Sequence, residues 1–216
     1  MTEPFLAWHF TAATLCDGRP LPADGVMLRR RGASGLFACY QVIDALRHAT
    51  GSTVCRVRVS GKIKRHERIL YAAERTIIWR LDVSEILATF ARHCALDVAH
   101  LWEMPAVVRE YLETGDEKLR DAAHIAARDA TNTANAAHIA ARNTANTVSS
   151  AAYPALLVSR RMLKSSVVVA IDVAHATNRA AWPDTVKWDA NWDDAWAAQN
   201  TRLTAMVEDA YQEQTP

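Results

Sequence analysis

Cysteine is scarce in this 216-residue chain: Cys16, Cys39, Cys55 and Cys94 are all it has. Four are too few for a disulfide scaffold, and they show neither a C-x-x-C pair nor zinc-like spacing. They are expected to be reduced thiols, partly buried as small hydrophobes, in a cytoplasmic protein. Charge of one sign is also missing. Twenty-five Lys and Arg against 24 Asp and Glu leave a formal +1, which argues against a polybasic membrane binder or a non-specific nucleic-acid coat. Long apolar runs are absent: the longest, Val167 to Ile171, is far too short to span a bilayer. The start Met1-Thr2-Glu3-Pro4-Phe5 lacks a basic segment leading into an apolar one, so no signal peptide is expected. Phosphate-binding G-x-x-x-x-G-K, G-x-G-x-x-G and the nucleophile motif G-x-S-x-G do not occur.

What is present divides into two halves. Six of the seven glycines lie before residue 82, where apolar residues alternate; after it alanine dominates and only Gly115 remains. Strand and turn chemistry therefore belongs to residues 1–82 and helix chemistry to 83–216. The expected fold class is α+β, a small mixed β-rich domain followed by an alanine-rich all-α domain. In the first, strands are expected at Phe5–Phe10, Val26–Leu28, Val54–Val59 and Thr76–Leu81. A short helix fits Gln41–Ala49, a turn Cys16–Pro20, and a turn or bulge Gly61. Cys55, Val57 and Val59 alternate onto one face and Val54, Arg56 and Arg58 onto the other. Ile77, Trp79 and Leu81 are likewise expected to share a face.

In the second domain, Asp82-Val83-Ser84-Glu85 is an acidic capping pattern before a helical rhythm from Ile86 to Leu101. Pro105 suits the start of the next helix and Gly115 its left-handed end. Ala122-Ala123-His124-Ile125-Ala126-Ala127-Arg128 recurs as Ala136-Ala137-His138-Ile139-Ala140-Ala141-Arg142. The copies are fourteen residues apart, so they stack nearly one above the other on a helix. Thr131-Asn132-Thr133-Ala134-Asn135, between them, has weaker helix propensity and leaves a kink or break open. Pro154 is expected to begin a helix running to Val173, and a last helix carries Trp188, Trp192, Trp196 and Leu203 at helical spacing.

Three constellations bear on function. Trp188, Trp192 and Trp196 offer anchors for a protein partner, since tryptophan is enriched at interface hot spots; the same spacing also suits a core seam. Arg29, Arg30 and Arg31, with Arg56 and Arg58, concentrate positive charge early in the chain. Nucleic acid is not the expected partner, because the Arg56/Arg58 strand carries no interleaved aromatic. His93, Asp97 and His100, at i, i+4 and i+7, are expected on one helical face, but no further metal motif accompanies them and no metal is expected.

Resemblances add to this reading. Ser34-Gly35-Leu36-Phe37-Ala38-Cys39, Ile43-Asp44-Ala45-Leu46 and Cys55-Arg56-Val57-Arg58-Val59-Ser60-Gly61 resemble an uncharacterised domain of bacteriophage and actinobacterial proteins. That domain has a GFHAC box, an LDAL helix and a VxVxG strand. Here Phe37 stands where the box often has histidine, so a role for that histidine would be lost. Phe90-Ala91-Arg92-His93-Cys94-Ala95 and the two alanine-rich copies are similar to the helical domain of bacterial immunity proteins, which implies toxin neutralisation by binding. The order of His9, Tyr40, the short helix and the strand at Val54 is similar to the core of ADP-ribosyltransferases. That resemblance implies NAD as cofactor, with His9, Tyr40 and Glu74 around it. The primary expectation is a non-enzymatic protein-binding module without cofactor, phage-accessory, anti-defence or immunity-like, with no membrane contact. NAD-dependent transfer is the alternative, and nucleic-acid binding through the basic strands a lesser one.

Overall fold

The computed structural model describes residues 4–12, 14, 20–30, 35–140, 154, 158, 170, 172–177 and 188–215, the side chains of 134–140 and 188–192 excepted. The Cys16–Arg19 part of the expected turn, and most of the expected helix from Pro154, lie outside these residues. The fold is α+β, with an antiparallel sheet followed by helices. Two units divide the chain: Met1–Ser84 together with Leu203–Pro216, and Glu85–Arg202. The last residues, expected in the helical part, belong with the sheet.

Five strands and one short helix make the first unit: β1 (Phe5–Thr11), β2 (Met27–Arg29), β3 (Leu36–Cys39), α1 (Val42–Leu46), β4 (Thr53–His66) and β5 (Ile69–Asp82). Strand order is β2-β5-β3-β1-β4, and β4 also pairs with β5. That last pairing closes β5, β3, β1 and β4 on themselves. A ring of so few strands has a narrow interior. Its core is accordingly built of small side chains, Ala7, Ala38, Ala72, Cys55, Val57 and Val59, with Leu70 and Ile77. Phe5, Tyr40 and Ile63 pack against it.

The two long strands are much longer than the alternation of apolar residues indicates. β4 continues past Val59 through Lys62, Lys64 and Arg65, which are charged and exposed. The ladder between β4 and β5 is interrupted twice, at Arg56/Val57 and at Ser60/Ile63. At the second interruption Gly61 has φ +74, a conformation that a side chain resists. This is the bulge expected there. At the first, Arg56 stands opposite Trp79 and Val57 opposite Ile77, so Ile78 is the extra residue. It reverses the facing of everything beyond it. Ile77 is inward in the core, while Trp79 and Leu81 lie with Arg56 and Val54 on the outer face. The expected common face for Ile77, Trp79 and Leu81 is therefore corrected: period two fails across a bulge.

In the second unit, α2 (Ser84–Asp97) opens where the acidic pattern places it. Both the amide and the hydroxyl of Ser84 donate to Asp82 Oδ1, at 2.8 and 2.6 Å. Residues Ala99–Leu101 form a 3₁₀ turn, and α3 (Ala106–Thr114) follows Pro105. Gly115 ends α3 at φ +70 and donates to the Tyr111 carbonyl. A side chain at 115 would also meet the Arg92 guanidinium, 2.7 Å from the ideal Cβ. Helix α4 (Arg120–Ala140) runs through Thr131–Asn135 without a break. The hydroxyls of Thr131 and Thr133 donate to the carbonyls four residues back, Ala127 and Asp129, so these threonines remain within the helix. Ala123, Ala127 and Thr131, each four apart, form its buried stripe.

The last helix, α5 (Trp188–Gln214), contributes to both units. Its final turns belong to the sheet: the Tyr211 ring stacks on Trp79 at 4.2 Å and 12°. Tyr211→Ala should lower the stability of the first unit by about 1–3 kcal/mol, read by urea denaturation. A change below about 0.5 kcal/mol, typical of an uninvolved surface site, would show that the helix end contributes nothing to the sheet.

Candidate functional site

Residues directly opposite in an antiparallel ladder project to the same face. The pairings therefore sort the first unit's side chains without ambiguity. Inward are Ala7, His9, Cys55, Val57, Val59, Arg75 and Ile77; outward are Leu6, Trp8, Phe10, Val54, Arg56, Arg58, Thr76 and Trp79.

The outward face has two zones. In the first, Trp8 lies edge-on to Trp79 at 5.7 Å, and Trp79 stacks on Tyr211. The Arg56 guanidinium sits 4.3 Å above the Trp8 ring. Burial draws the Arg56 pKa down, opposed by the carboxylate of Glu208. Trp8 and Phe10 are buried here. Tyr211 of α5 covers Trp79 in this zone, and Arg56 is part of the aromatic packing rather than a free cation.

In the second zone a single row crosses four strands. Met27 stands opposite Thr76, Thr76 opposite Arg58, and Arg58 opposite Leu6. Both ends are open, Met27 at 45% and Leu6 at 46% exposure, and Arg58 between them is exposed. Val26 at 50% precedes β2, and the bulged Ile78 is exposed at 36%. Of the six large apolar side chains exposed among the described residues, five belong to the sheet or its immediate flank; Ile125 on α4 is the sixth.

Beyond Gly61 the β4–β5 ribbon is cationic. Lys62, Lys64, Arg65 and His66 are exposed, and Lys64 stands directly opposite the exposed Tyr71. The guanidinium of Arg65 lies 5.8 Å from the Phe5 ring centre. Between Met1 and Ser84 thirteen Lys and Arg face only seven Asp and Glu, an excess hidden in the whole-chain balance. The absence of aromatics beside the basic strand, expected from β4 read alone, is corrected: neighbouring strands bring in Trp8, Trp79 and Tyr71.

Other expected site residues fall in different places. Trp196 is buried at 2% exposure, with His175 tilted across it at 5.0 Å. It is core, as the seam alternative has it, and not an exposed anchor. The side chains of Trp188 and Trp192, and all of Arg31, lie outside the described residues. Arg29 and Arg30 are exposed, and Arg29 Nε is 3.1 Å from Glu74 Oε1.

His9, Tyr40 and Glu74 are not brought together. His9 points inward beside Cys55, whereas Glu74, one residue before the inward Arg75, points outward. Glu74 accepts a hydrogen bond from Ser60 Oγ at 2.8 Å as well as the Arg29 ion pair. Tyr40 lies edge-on to Phe5 at 5.5 Å against the inward core. Strand alternation sets His9 and Glu74 on opposite faces of the sheet.

His93, Asp97 and His100 do not share a helix face either. Helix α2 ends at Asp97, and both its carboxylate oxygens are taken by Arg202, at 2.8 and 2.9 Å. Among the described residues no three His, Cys, Asp or Glu side chains converge as metal ligands. Cys39, Cys55 and Cys94 are buried free thiols. Burial pushes them up to about 12, about 11 and about 12, so they are poor nucleophiles.

His9 is the one titrating group in the ring whose environment is severe. It is buried, edge-on to Phe37 at 4.8 Å, with Nδ1 lacking a hydrogen-bond partner. Burial, reinforced by the Arg75 charge, lowers its pKa to about 3. In the unfolded chain histidine titrates near 6.5. Between these values the unfolded state binds the extra proton, so stability is full above about pH 6.5 and falls as the pH drops toward 3. The contribution from this one group is about 1.4 kcal/mol per pH unit within that window. His9→Phe, which keeps the ring contact, should flatten the slope of unfolding free energy measured by urea denaturation from pH 6 to 4. Equal slopes for the two proteins would place the His9 proton elsewhere. No protein-family model matches the chain, and no curated protein and no solved structure is significantly similar to it.

Proposed function

We propose that the protein is a non-enzymatic binding module that acts by covering a surface of another protein. The observation that carries this reading is the outward row Leu6–Arg58–Thr76–Met27 and its apolar flank. Exposed apolar side chains gathered on one side of a fold mark interaction surfaces, whereas singly scattered ones do not. A rigid sheet presents them without an ordering cost on binding.

The row also specifies its partner's chemistry. Two apolar ends flank one cation, so the complementary surface is apolar with a carboxylate facing Arg58. The apolar contacts supply affinity through burial and the charge supplies orientation and encounter rate. Steric masking of this kind is the mode of action expected for an immunity-like or anti-defence protein. The anchors are Leu6 and Met27, in place of the tryptophans favoured by sequence.

The test pairs capture with a surface variant. The tagged chain should retain a saturable protein partner, and Leu6→Glu with Met27→Glu should weaken that partner's binding by about 100-fold, two anchors at about 1.4 kcal/mol each. Both sites are exposed, so the variant should keep the wild-type melting temperature. A folded variant that holds the partner as tightly as wild type, or a wild-type chain that captures nothing saturable, removes the reading.

A further inference from the structure

We infer that the β4–β5 ribbon beyond Gly61 is a binding site for single-stranded nucleic acid, with Tyr71 stacking on a base and Arg30, Lys62 and Lys64 contacting phosphates. The inference stands apart from the protein-binding reading, since it uses none of the residues of the Leu6–Met27 row.

The geometry starts from the bulge. The Arg30 amide donates to the Ala73 carbonyl at 3.0 Å on one side of β5. On the other side, the Ala73 side chain lies against Gly61, 3.2 Å from where a Cβ would stand. Arg30 and Lys62 therefore flank the same residue of β5 from opposite edges. Two residues further along β4, Lys64 stands opposite Tyr71, which is exposed at 37%. Lys64 thus lies beside an accessible aromatic ring whose other cross-strand neighbour is Phe37, and Arg30 and Lys62 stand two residues along β5 at Ala73.

The neighbouring carboxylates do not cancel this charge. Glu74 is engaged by Arg29 and Ser60, and Asp44 is buried in an ion pair with Arg68 at 3.4 Å. Among the described residues Arg30, Lys62 and Lys64 make no ion pair. Glu67 at the tip is the remaining exposed acid of the ribbon. Unpaired cations near a ring are what a flexible polyanion with free base faces requires. A duplex hides its base faces and gains nothing from the ring, and a lipid surface gains only from the charge.

Fluorescence anisotropy with an end-labelled 20-nucleotide oligo-dT tests this on the full chain. Three phosphate contacts to a single strand predict that Kd rises about 20-fold between 50 and 200 mM salt. Tyr71→Ala should weaken binding by about 5- to 150-fold, and Tyr71→Phe should restore it, because stacking needs the ring and not the hydroxyl. Lys62→Glu with Lys64→Glu should abolish binding, while Leu6→Glu with Met27→Glu should leave it unchanged. The inference is overturned by absent binding, by a Tyr71→Ala affinity equal to wild type, or by tighter binding to the matching duplex. Binding to phosphatidylserine vesicles without binding to oligo-dT also overturns it, and would reassign the patch to an anionic membrane surface.

Discussion

The pairing of β5 is the constraint on which the first unit depends. Three of the other four strands, β2, β3 and β4, hydrogen-bond directly to it, and β1 is held through β3 and β4. Because β5 meets β3 and β4 on its two edges over the same stretch, Ile69–Ala72, the sheet must curl until β1 bridges the gap. The curl sets the size of the interior, and the interior admits mainly alanine, valine and cysteine. It also isolates His9, for which no hydrogen-bond partner exists at Nδ1. A buried polar atom in that condition costs stability, so the position is a strain the rest of the ring must offset.

That closure also decides what is left outside. The buried core of the ring is alanine, valine, cysteine, leucine and isoleucine, with Phe5 and Tyr40 packed against it. Trp8, Phe10 and Trp79 lie on the outer face, where Trp8 packs edge-on to Trp79 and Tyr211 of α5 stacks on Trp79. That packing reaches only part of the face. Leu6, Arg58, Thr76 and Met27 lie beyond it, and the charged ribbon extends further still. Packing, apolar exposure and charge thus follow one another along the same two strands.

Much of this was legible in the sequence. Alternation located β1 and the first half of β4, the acidic capping pattern located the start of α2, and Gly61 and Gly115 marked a bulge and a helix end. Strand β3 carries too short a pattern, four residues, to stand out. The far halves of β4 and β5 were hidden because exposed ribbon positions carry charge instead of alternating apolar residues. The candidate surfaces were least legible. A strand's neighbours are set by tertiary pairing, so nothing local to Arg58 announces Leu6 or Met27, and nothing local to Lys64 announces Tyr71. The tryptophan spacing was visible, but a periodic stripe looks the same whether it faces solvent or, as with Trp196, the core.

The bulge at Ile78 has an evolutionary corollary. Along Arg75–Leu81, facing reverses at that residue: Arg75 and Ile77 point into the ring before it, Trp79 and Leu81 out of it afterwards. A one-residue deletion there would not be a local event. It would remove the frame change and drive Trp79 toward an interior built for alanine and valine, while turning Arg80 outward and away from Asp24 and the Pro22 carbonyl. Chain length in this stretch is therefore under tighter constraint than side-chain identity.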